Sequence, residues 1–323
     1  MLEVAMKDDF AVDFGFSFIK SMYRKEKLKE PSFFAFHLKE KNLTSSFGMQ
    51  EPAIYDFNGT PYIVGKEAEF SEMKIFRRDI SFILEFYPLA VAHAMKKHNI
   101  KEFRNLLVGL PPEDLNEANA KMLKDNIVKA KINNNKIPVS KSNIKIFSQG
   151  QGAFIDYKSS NGNLRETGFL IDIGFNTLIA IPFKNGKISP SYQQYNKFGI
   201  SGLLNNFLSP LIQNRFNKKL NIHQLNNAFL KEELSLGIGK KESIKEEVRK
   251  AVELYLQIVL QTLQEDFSEE ILDIQKFVIS GGGAYRIINY IPDSLKDIVH
   301  INEEPDFSNV RGYKIIGQLQ NRG

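Results

Sequence analysis

The segment AVDFGFSFIKSMY, residues 11–23, contains an unusual turn that the chain repeats as LIDIGFNTLIAIP at residues 170–182. In both copies an apolar run leads into Asp-x-Gly-Phe, a polar Ser or Asn follows, and a second apolar run begins. Apolar runs of this length on either side of a glycine predict two strands joined by a tight turn. The sequence therefore predicts one β-hairpin in each half of the chain, with Asp13 and Asp172 at equivalent positions 159 residues apart.

The composition excludes several kinds of functional site. The chain has 323 residues, of which 42% are apolar, so it is long enough for two domains and can bury a core. It has no cysteine, which rules out disulfides, thiolate metal sites and cysteine nucleophiles. Its five histidines, at positions 37, 93, 98, 223 and 300, show no ligand spacing, so a catalytic zinc site is not expected.

The charge pattern and the apolar runs indicate the environment of the protein. The net charge of +5 comes from runs of mixed sign that are typical of solvated helix faces, and no aromatic–basic stripe indicates nucleic-acid binding. No run of about 18 apolar residues is present, and two aspartates stand where a signal peptide needs an apolar segment. We therefore expect a soluble, cytoplasmic protein without a membrane span.

Local signals predict strands and helices that alternate in both halves of the chain. Asn58-Gly59 between two apolar arms predicts a hairpin over residues 53–65, and helical spacing predicts a helix that begins near Ile80. The other segments with clear signals are a short buried strand in 103–115 that is stopped by Gly109 and two prolines, a helix from Asp114 or Asn116 to about Lys129, a strand and glycine turn at 143–157, a long helical stripe from Ile244 to Leu263, a strand, three glycines and a helix at 276–291, and a final helix at 309–320. This alternation predicts an α/β fold with mixed central sheets.

Glycine turns of the repeated kind are suited to binding an anion, because glycine lets the backbone come close to a ligand and present its N–H groups. Ser17, Asn176 and Thr177 would add hydroxyl or amide donors, and Lys20 would add positive charge. The two aspartates would be repelled by a phosphate unless Mg²⁺ with retained water molecules lay between them. Ordinary β-turns also use Asp-x-Gly, and it is the occurrence of one copy in each half that favours the binding interpretation.

Two further motifs belong to the same interpretation. Gly281–Gly283 lies between a buried strand and a helix, which suits close approach of a ligand at a helix N-terminus, although a plain tight turn has the same pattern. Gln149, in FSQGQGAF, is an uncharged amide beside glycines, and phosphoryl-transfer sites use glutamine to orient water; a structural glutamine is the alternative. The motif G-x-x-x-x-G-K-[ST] is missing from the sequence, which disfavours a P-loop NTPase.

The order of these motifs resembles the actin superfamily of ATPases. In that family the two Asp-x-Gly hairpins are phosphate loops, and the later glycine run contacts the adenosine and ribose. The segments YIVGKEA, VGLPPEDL, FSQGQGAF and SNVRGY resemble the plasmid-segregation (ParM-like) branch of the prokaryotic actin-like proteins, and the likeness extends over nearly the whole chain. Phe16 and Phe175 depart from the small residues that often follow the glycine, a change that ParM-like members tolerate.

The resemblance implies an actin-like (ribonuclease H-like) fold of two domains, with a nucleotide in the cleft between them. Domain I would span 1–157 and include a small hairpin-bearing subdomain at about 35–75, domain II would span 158–308, and a helix at 309–323 would return to domain I. The ligands would be ATP or GTP and Mg²⁺. Gln149 and Asp172 would be catalytic, and Asp13 and Asp172 would bind Mg²⁺ through water. The nucleotide-binding residues would be Asp13, Gly15, Phe16, Ser17, Lys20, Gly174, Phe175, Asn176, Thr177, Gly281, Gly282, Gly283, Ala284 and Tyr285.

The resemblance also implies a function. It implies a polymerising ATPase whose head-to-tail filaments depend on the nucleotide and serve the segregation of plasmid DNA or intracellular positioning, with a DNA-binding adaptor protein as partner and no direct nucleic-acid binding required. Because only Asp172 is matched with Gln149 as a partner for the attacking water, hydrolysis is assigned to the second hairpin. Two alternatives stay open: a non-polymerising small-molecule kinase of the same fold, and a structural actin-like protein that binds nucleotide without hydrolysing it.

Overall fold

The computed structural model describes residues 8–37, 52–77, 79–161 and 165–320. Part of the expected subdomain at 35–75, and residues 321–323 of the expected C-terminal helix, lie outside these ranges. The chain forms two compact units: the first contains the residues up to Asp156 and those from Asn309 onward, and the second is Tyr157–Ser308. In the described ranges we find no helix with the length and apolar character needed to cross a membrane.

The first unit contains ten strands and three helices in its N-terminal part, counted over the described residues. The strands are β1 (Phe10–Phe14), β2 (Phe18–Tyr23), β3 (Glu26–Pro31), β4 (Phe34–Phe36), β5 (Ile54–Phe57), β6 (Thr60–Val64), β7 (Leu106–Leu110), β8 (Lys131–Ile132), β9 (Asn135–Lys136) and β10 (Ile144–Ser148). The helices are α1 (Ile80–Lys97), α2 (Glu117–Lys129) and α3 (Gln151–Asn161), the last of which ends in the second unit. Short 3-10 turns occur at Gly65–Ala68, Pro112–Asp114 and Lys141–Asn143.

Two sheets organise the first unit. The central sheet has the order β10-β7-β1-β2-β3, in which β10, β7 and β1 are parallel and β1, β2 and β3 are antiparallel neighbours. A smaller sheet has the order β4-β6-β5-β8-β9. The strand that carries Asp13 is therefore in the middle of the central sheet, between a parallel strand and its hairpin partner.

The local signals in the sequence explain several of these elements. Asn58 and Gly59 have φ of 52° and 89° and join β5 to β6, so the hairpin predicted there is confirmed. The Asp79 side chain caps α1, and the Asn116 side chain caps α2, each by accepting a backbone N–H of the first turn. Of the two predicted starts of α2, Asn116 is the one that the structure uses.

The second unit contains eight strands and five α-helical segments among its described residues. The strands are β11 (Thr167–Ile173), β12 (Thr177–Lys184), β13 (Lys187–Ile188), β14 (Gln193–Asn196), β15 (Glu233–Gly237), β16 (Lys240–Ser243), β17 (Lys276–Ser280) and β18 (Val299–Ile301). The helices are α4 (Ile200–Gly202), α5 (Ser209–Phe216), α6 (Ile222–Lys231), α7 (Lys245–Asp266) and α8 (Ala284–Ile287), with a π-helical segment, Leu203–Leu208, between α4 and α5. Short 3-10 turns occur at Glu270–Asp273, Ile288–Tyr290, Asp293–Leu295 and Pro305–Phe307. A last helix, α9 (Ser308–Gln320), runs from the end of this unit into the first.

The central sheet of the second unit repeats the pattern of the first. Its order is β13-β12-β11-β17-β18, with β14 paired to the same strand as β13. The strands β11, β17 and β18 are parallel, and β11 and β12 form an antiparallel hairpin. Asp172 thus has the same place in its sheet as Asp13 has in the other, and the predicted α/β class with mixed sheets is confirmed.

Each unit has its own hydrophobic core. In the first, the ring of Phe14 lies 5.4 Å from Phe34, 5.7 Å from Phe82 and 5.6 Å from Tyr87, which joins β1 to α1. In the second, the predicted stripe of α7 is buried at Val248, Val252, Tyr255 and Leu263 but not at Ile258, which is 38% exposed. Strand β3 and the β15–β16 hairpin have no counterpart in the sequence-based prediction.

Candidate functional site

The first Asp-x-Gly turn joins β1 to β2. Asp13 is opposite Lys20 in the antiparallel register, and the N–H of Gly15 donates to the carbonyl of Phe18 at 3.1 Å, which closes a two-residue turn. Ser32 supports the tip from the end of β3, because its hydroxyl donates to the Gly15 carbonyl at 2.6 Å. The N–H of Gly15 is thus used within the turn, and Phe16 and Ser17 provide the tip N–H groups suited to an anion.

Asp13 is only 2% exposed, and two side chains contact its carboxylate. Gln149 donates from Nε2 to Oδ1 at 2.9 Å, and Lys20 Nζ lies 3.4 Å from Oδ2. Tyr87 lies nearby, with its hydroxyl donating to the Val12 carbonyl at 2.9 Å; burial, and then the charge of Asp13, raise the pKa of this tyrosine, so it stays neutral. Asp13 is therefore a buried anion that is paired on both of its oxygens.

Gln149 is a half-buried residue at the exit of β10. Its backbone N–H donates to the carbonyl of Leu110, at the end of the neighbouring β7, at 2.9 Å. Because a carboxylate only accepts hydrogen bonds, the contact with Asp13 requires the NH₂ end of the amide, and Oε1 is left as an acceptor. The partnership of Gln149 with Asp13 was not anticipated from the sequence, which matched this glutamine with Asp172.

The second Asp-x-Gly turn joins β11 to β12 in the same way as the first. The N–H of Gly174 donates to the carbonyl of Thr177 at 2.9 Å, which again leaves the next two residues, Phe175 and Asn176, at the tip. The start of α4 supports this tip, since the N–H of Ser201 donates to the Phe175 carbonyl at 2.7 Å. The two turns have one backbone design, as the repeated sequence predicts.

Asp172 lies against the glycine run. It is 6% exposed and is in register with Ser280 on the parallel strand β17. Gly281 has a φ of +80°, and a Cβ at this position would lie 2.3 Å from Asp172 Oδ1. The N–H of Gly283 donates to the carbonyl of Ile173 at 2.8 Å. The structure therefore brings together the second hairpin and the glycine run within one unit.

The three glycines of the run differ in the space that a side chain would have. A Cβ on Gly283 would lie 2.3 Å from a methyl carbon of Ile173, so this position is packed against the hairpin as Gly281 is. A Cβ on Gly282 would meet nothing nearer than 3.9 Å, and the residue is half-exposed. Gly282 is therefore the position of the run at which packing within the chain does not explain the absence of a side chain, and it suits close approach of a ligand.

Tyr285 and the segment before α9 complete this region of the second unit. Tyr285 is 51% exposed, and its hydroxyl lies 3.4 Å from Oδ1 of Asp306. The carbonyl of Pro305 accepts the N–H of Gly281 at 2.9 Å and the hydroxyl of Ser280 at 3.2 Å. The glycine run is thus held from both sides, by the hairpin and by this segment.

The predicted site residues fall into two groups, one in each unit. The first unit contains Asp13, Gly15, Phe16, Ser17, Lys20 and Gln149, and the second contains Asp172, Gly174, Phe175, Asn176, Thr177, Gly281, Gly282, Gly283, Ala284 and Tyr285. Ala284 is fully buried at the start of α8. Sequence reasoning missed Asn309, which accepts the N–H groups of Gly150 and Ala153, because these partners are 156–159 positions away.

The donor set in each unit fits a nucleotide with a magnesium ion. Each hairpin combines tip N–H groups, which suit phosphate oxygens, with one buried carboxylate at the end of a central strand. Among the described residues, no group of three or more His, Asp or Glu side chains is arranged to hold a metal ion. One buried carboxylate beside N–H groups suited to phosphate is a donor set that suits Mg²⁺, which usually keeps several waters and binds through one or two carboxylates and substrate phosphates.

Two family profiles match the chain. The N-terminal domain of actin-like proteins matches residues 11–152, and the C-terminal domain of archaeal MreB-like actin homologues matches residues 170–293. No curated protein sequence matches the chain.

Solved structures of actin homologues cover nearly the whole chain. Three of them are a 15-stranded ParM filament from Clostridium botulinum (TM-score 0.76, 19% identity, 97% of this chain and 99% of that chain), an archaeal actin homologue in complex with ADP (0.73, 15%, 97% and 99%) and Bacillus thuringiensis ParM with ATP (0.65, 15%, 98% and 100%). At these identities the likeness establishes the fold, which is the two-domain actin-like fold. The chain is therefore an actin-like protein, with an N-terminal domain of the actin-like protein family and a C-terminal domain of the MreB-like archaeal actin homologue family.

Proposed function

We propose that this protein is a polymerising actin-like ATPase of the ParM-like kind, and that its filaments depend on ATP and serve to segregate or position DNA through an adaptor protein. The observation that carries the proposal is the pair of equivalent hairpins, each with a buried aspartate, together with the hydrogen bond from Gln149 to Asp13. The ParM filament and the nucleotide complexes among the solved structures of this fold support it.

In this proposal the two hairpins bind the phosphates of one nucleotide. The tip N–H groups of Phe16 and Ser17, and of Phe175 and Asn176, donate to phosphate oxygens. The glycine run binds the nucleoside, with Gly282 as the point of closest approach. Bound Mg²⁺ would supply the positive charge that offsets the phosphates, held through water by Asp13 and Asp172.

Gln149 orients the attacking water. One N–H of its Nε2 donates to Asp13, which turns Oε1 away from that carboxylate, so Oε1 accepts a hydrogen bond from the water and fixes the direction of the oxygen lone pair. Asp13 acts here as a positioning group for the amide, because it selects one of the two orientations of the side chain. Asp172 accepts the second hydrogen bond of the water. The rate gain then comes from positioning and from charge stabilisation.

Phosphate release measures the chemistry directly. With ATP and Mg²⁺, Asp172→Ala and the nearly isosteric Asp172→Asn are expected to lower the rate by at least about tenfold, which corresponds to about 1.4 kcal/mol of barrier. Asp297→Ala is the matched control, since Asp297 is exposed in the same unit. Near-normal release from Asp172→Asn would contradict the assignment, and tight nucleotide binding without release by the wild type would favour a non-hydrolysing structural protein.

A further inference from the structure

Helix α3 begins at a residue that cannot cap it. The carbonyl of Gly150 accepts the N–H of Phe154 at 2.9 Å, so Gly150 has the N-cap place, immediately after Gln149. Its φ is +80°, which favours glycine, and glycine has no side chain to accept the free N–H groups of the first turn. The free N–H groups at the N-terminus of α3 are therefore left to an acceptor from another part of the chain or to water.

Asn309, at the start of α9, supplies that acceptor. Its Oδ1 accepts the N–H of Gly150 at 2.9 Å and the N–H of Ala153 at 3.2 Å. Ala153 is the third residue of the helix, whose N–H is one that an ordinary N-cap side chain accepts. Asn309 is 6% exposed, so both hydrogen bonds are shielded from water. A residue 159 positions away in the sequence thus takes the role that Gly150 cannot fill.

The backbone of α9 around Asn309 is held firmly against α3. Arg311 donates from Nε and Nη2 to the two oxygens of Asp156, at 2.7 Å and 2.6 Å. A Cβ on Gly312 would lie 1.8 Å from the carbonyl oxygen of Gly152, so the two helices touch backbone to backbone. These contacts leave the Asn309 side chain little freedom to move away from the N-terminus of α3.

Contacts on both sides of Gln149 fix its position. Its backbone N–H is bound to Leu110, its side chain is bound to Asp13, and the next residue, Gly150, is bound to Asn309. We infer that Asn309 is a positioning residue, which keeps the Gln149 amide aimed at the attacking water by capping α3 from the C-terminal helix. The inference rests on the proposed ATPase function.

The test compares Asn309→Ala, which removes the acceptor, with Asn309→Asp, which keeps it. In steady-state ATP hydrolysis we expect Asn309→Ala to lower kcat about tenfold with KM changed by less than about twofold, and Asn309→Asp to remain within about threefold of the wild type. We expect the double variant Gln149→Ala/Asn309→Ala to be no slower than Gln149→Ala, because residues that act as a unit are not additive. Wild-type kcat in Asn309→Ala, or a double variant that loses both factors, would overturn the inference.

A second measurement separates this inference from the proposed function. Hydrogen–deuterium exchange of the peptide that spans residues 148–154 does not require hydrolysis. Exchange should be at least about tenfold faster in Asn309→Ala than in the wild type and Asn309→Asp, since an amide loses its protection with its acceptor. Unchanged exchange in Asn309→Ala would overturn the inference even if ATP is hydrolysed. If the wild type releases no phosphate, the proposed function fails, and the exchange data still decide whether Asn309 holds the Gln149 loop.

Discussion

At the scale of single residues, the two aspartates that begin the repeated turns have different surroundings. Oδ1 of Asp13 accepts a hydrogen bond from Gln149 Nε2 at 2.9 Å, and its Oδ2 lies 3.4 Å from Lys20 Nζ. Asp172 instead packs against Gly281, and a Cβ on this glycine would lie 2.3 Å from the Asp172 carboxylate. The repeated sequence thus specifies the turn, while residues distant in the chain specify what each carboxylate can do.

The glycine run gives a prediction that separates packing from binding. Gly281→Ala places a Cβ 2.3 Å from Asp172 at a positive φ, so it should lower the free energy of unfolding by on the order of 1–3 kcal/mol. Gly282→Ala has open space and should change it by less than about 0.5 kcal/mol, yet should weaken ATP binding if the nucleoside approaches there. Urea unfolding and nucleotide titration measure the two effects. Equal stability losses in both variants would contradict this division of roles.

A buried histidine gives a prediction on pH. His98 is 6% exposed and contacts Ser21 at 3.0 Å and Glu26 at 3.3 Å; burial lowers its pKa against the opposing effect of Glu26. The unfolded chain then binds a proton at a higher pH than the folded chain. The contribution of His98 to stability is therefore fully present above about pH 6.5, and it is lost as the pH falls through the pKa of the unfolded state towards the pKa of the folded state.

The measurement is the unfolding midpoint in urea at pH 7.5 and 5.5. His98→Gln should lose less stability than the wild type across this interval, because the residue no longer titrates. His223→Gln is the control, since His223 is exposed. If His98→Gln loses as much stability as the wild type between pH 7.5 and 5.5, other groups dominate this interval and the prediction is contradicted. His300 is one such group, because burial also lowers its pKa.

At the scale of elements, the crossing of α3 and α9 is set by glycine. A Cβ on Gly312 would lie 1.8 Å from the Gly152 carbonyl oxygen, and Tyr313 stacks on Phe147 with ring centroids 5.3 Å apart. The C-terminal helix therefore packs back on the first unit at the place where β10 leads into the Gln149 loop. The way in which α9 packs therefore contributes to the geometry of the candidate site around Gln149.

The close crossing of the two helices predicts that alanine at Gly312 destabilises the protein, whereas helix propensity alone predicts that it stabilises the protein. Alanine in place of glycine inside a helix stabilises by about 1 kcal/mol when nothing obstructs it. At Gly312 the backbone of α3 obstructs it, so Gly312→Ala should destabilise the protein by at least about 2 kcal/mol, measured by urea unfolding. Gln318→Ala, at an exposed position of the same helix, should be neutral. A stabilised Gly312→Ala variant would contradict the close crossing.

Elements with a local signal could be predicted from the sequence, and contacts between distant segments could not. The Asn58-Gly59 turn and the Asn116 cap depend on neighbouring residues, and both are as predicted. The partnership of Gln149 with Asp13 depends on β1 and β10 being separated by one strand of the sheet. The role of Asn309 depends on a helix that returns from the other end of the chain. Such contacts follow from the topology of the sheet, which short motifs do not encode.

At the scale of the whole molecule, the repeated turn reflects a repeated sheet. In each unit the strand that carries the aspartate has a parallel neighbour on one side and its hairpin partner on the other. This arrangement and the two profile matches, to residues 11–152 and 170–293, extend the actin-like identity over both units. Heterologous contacts between copies that do not close into a ring produce a filament, which is the assembly that we propose for this protein.

The most direct test of this account is electron microscopy of the purified protein with ATP and Mg²⁺, beside a sample without nucleotide. We predict filaments in the sample with ATP and dispersed particles in the sample without it. Dispersed particles in both samples, from a protein that binds ATP and is folded, would contradict the proposal that this actin-like protein polymerises.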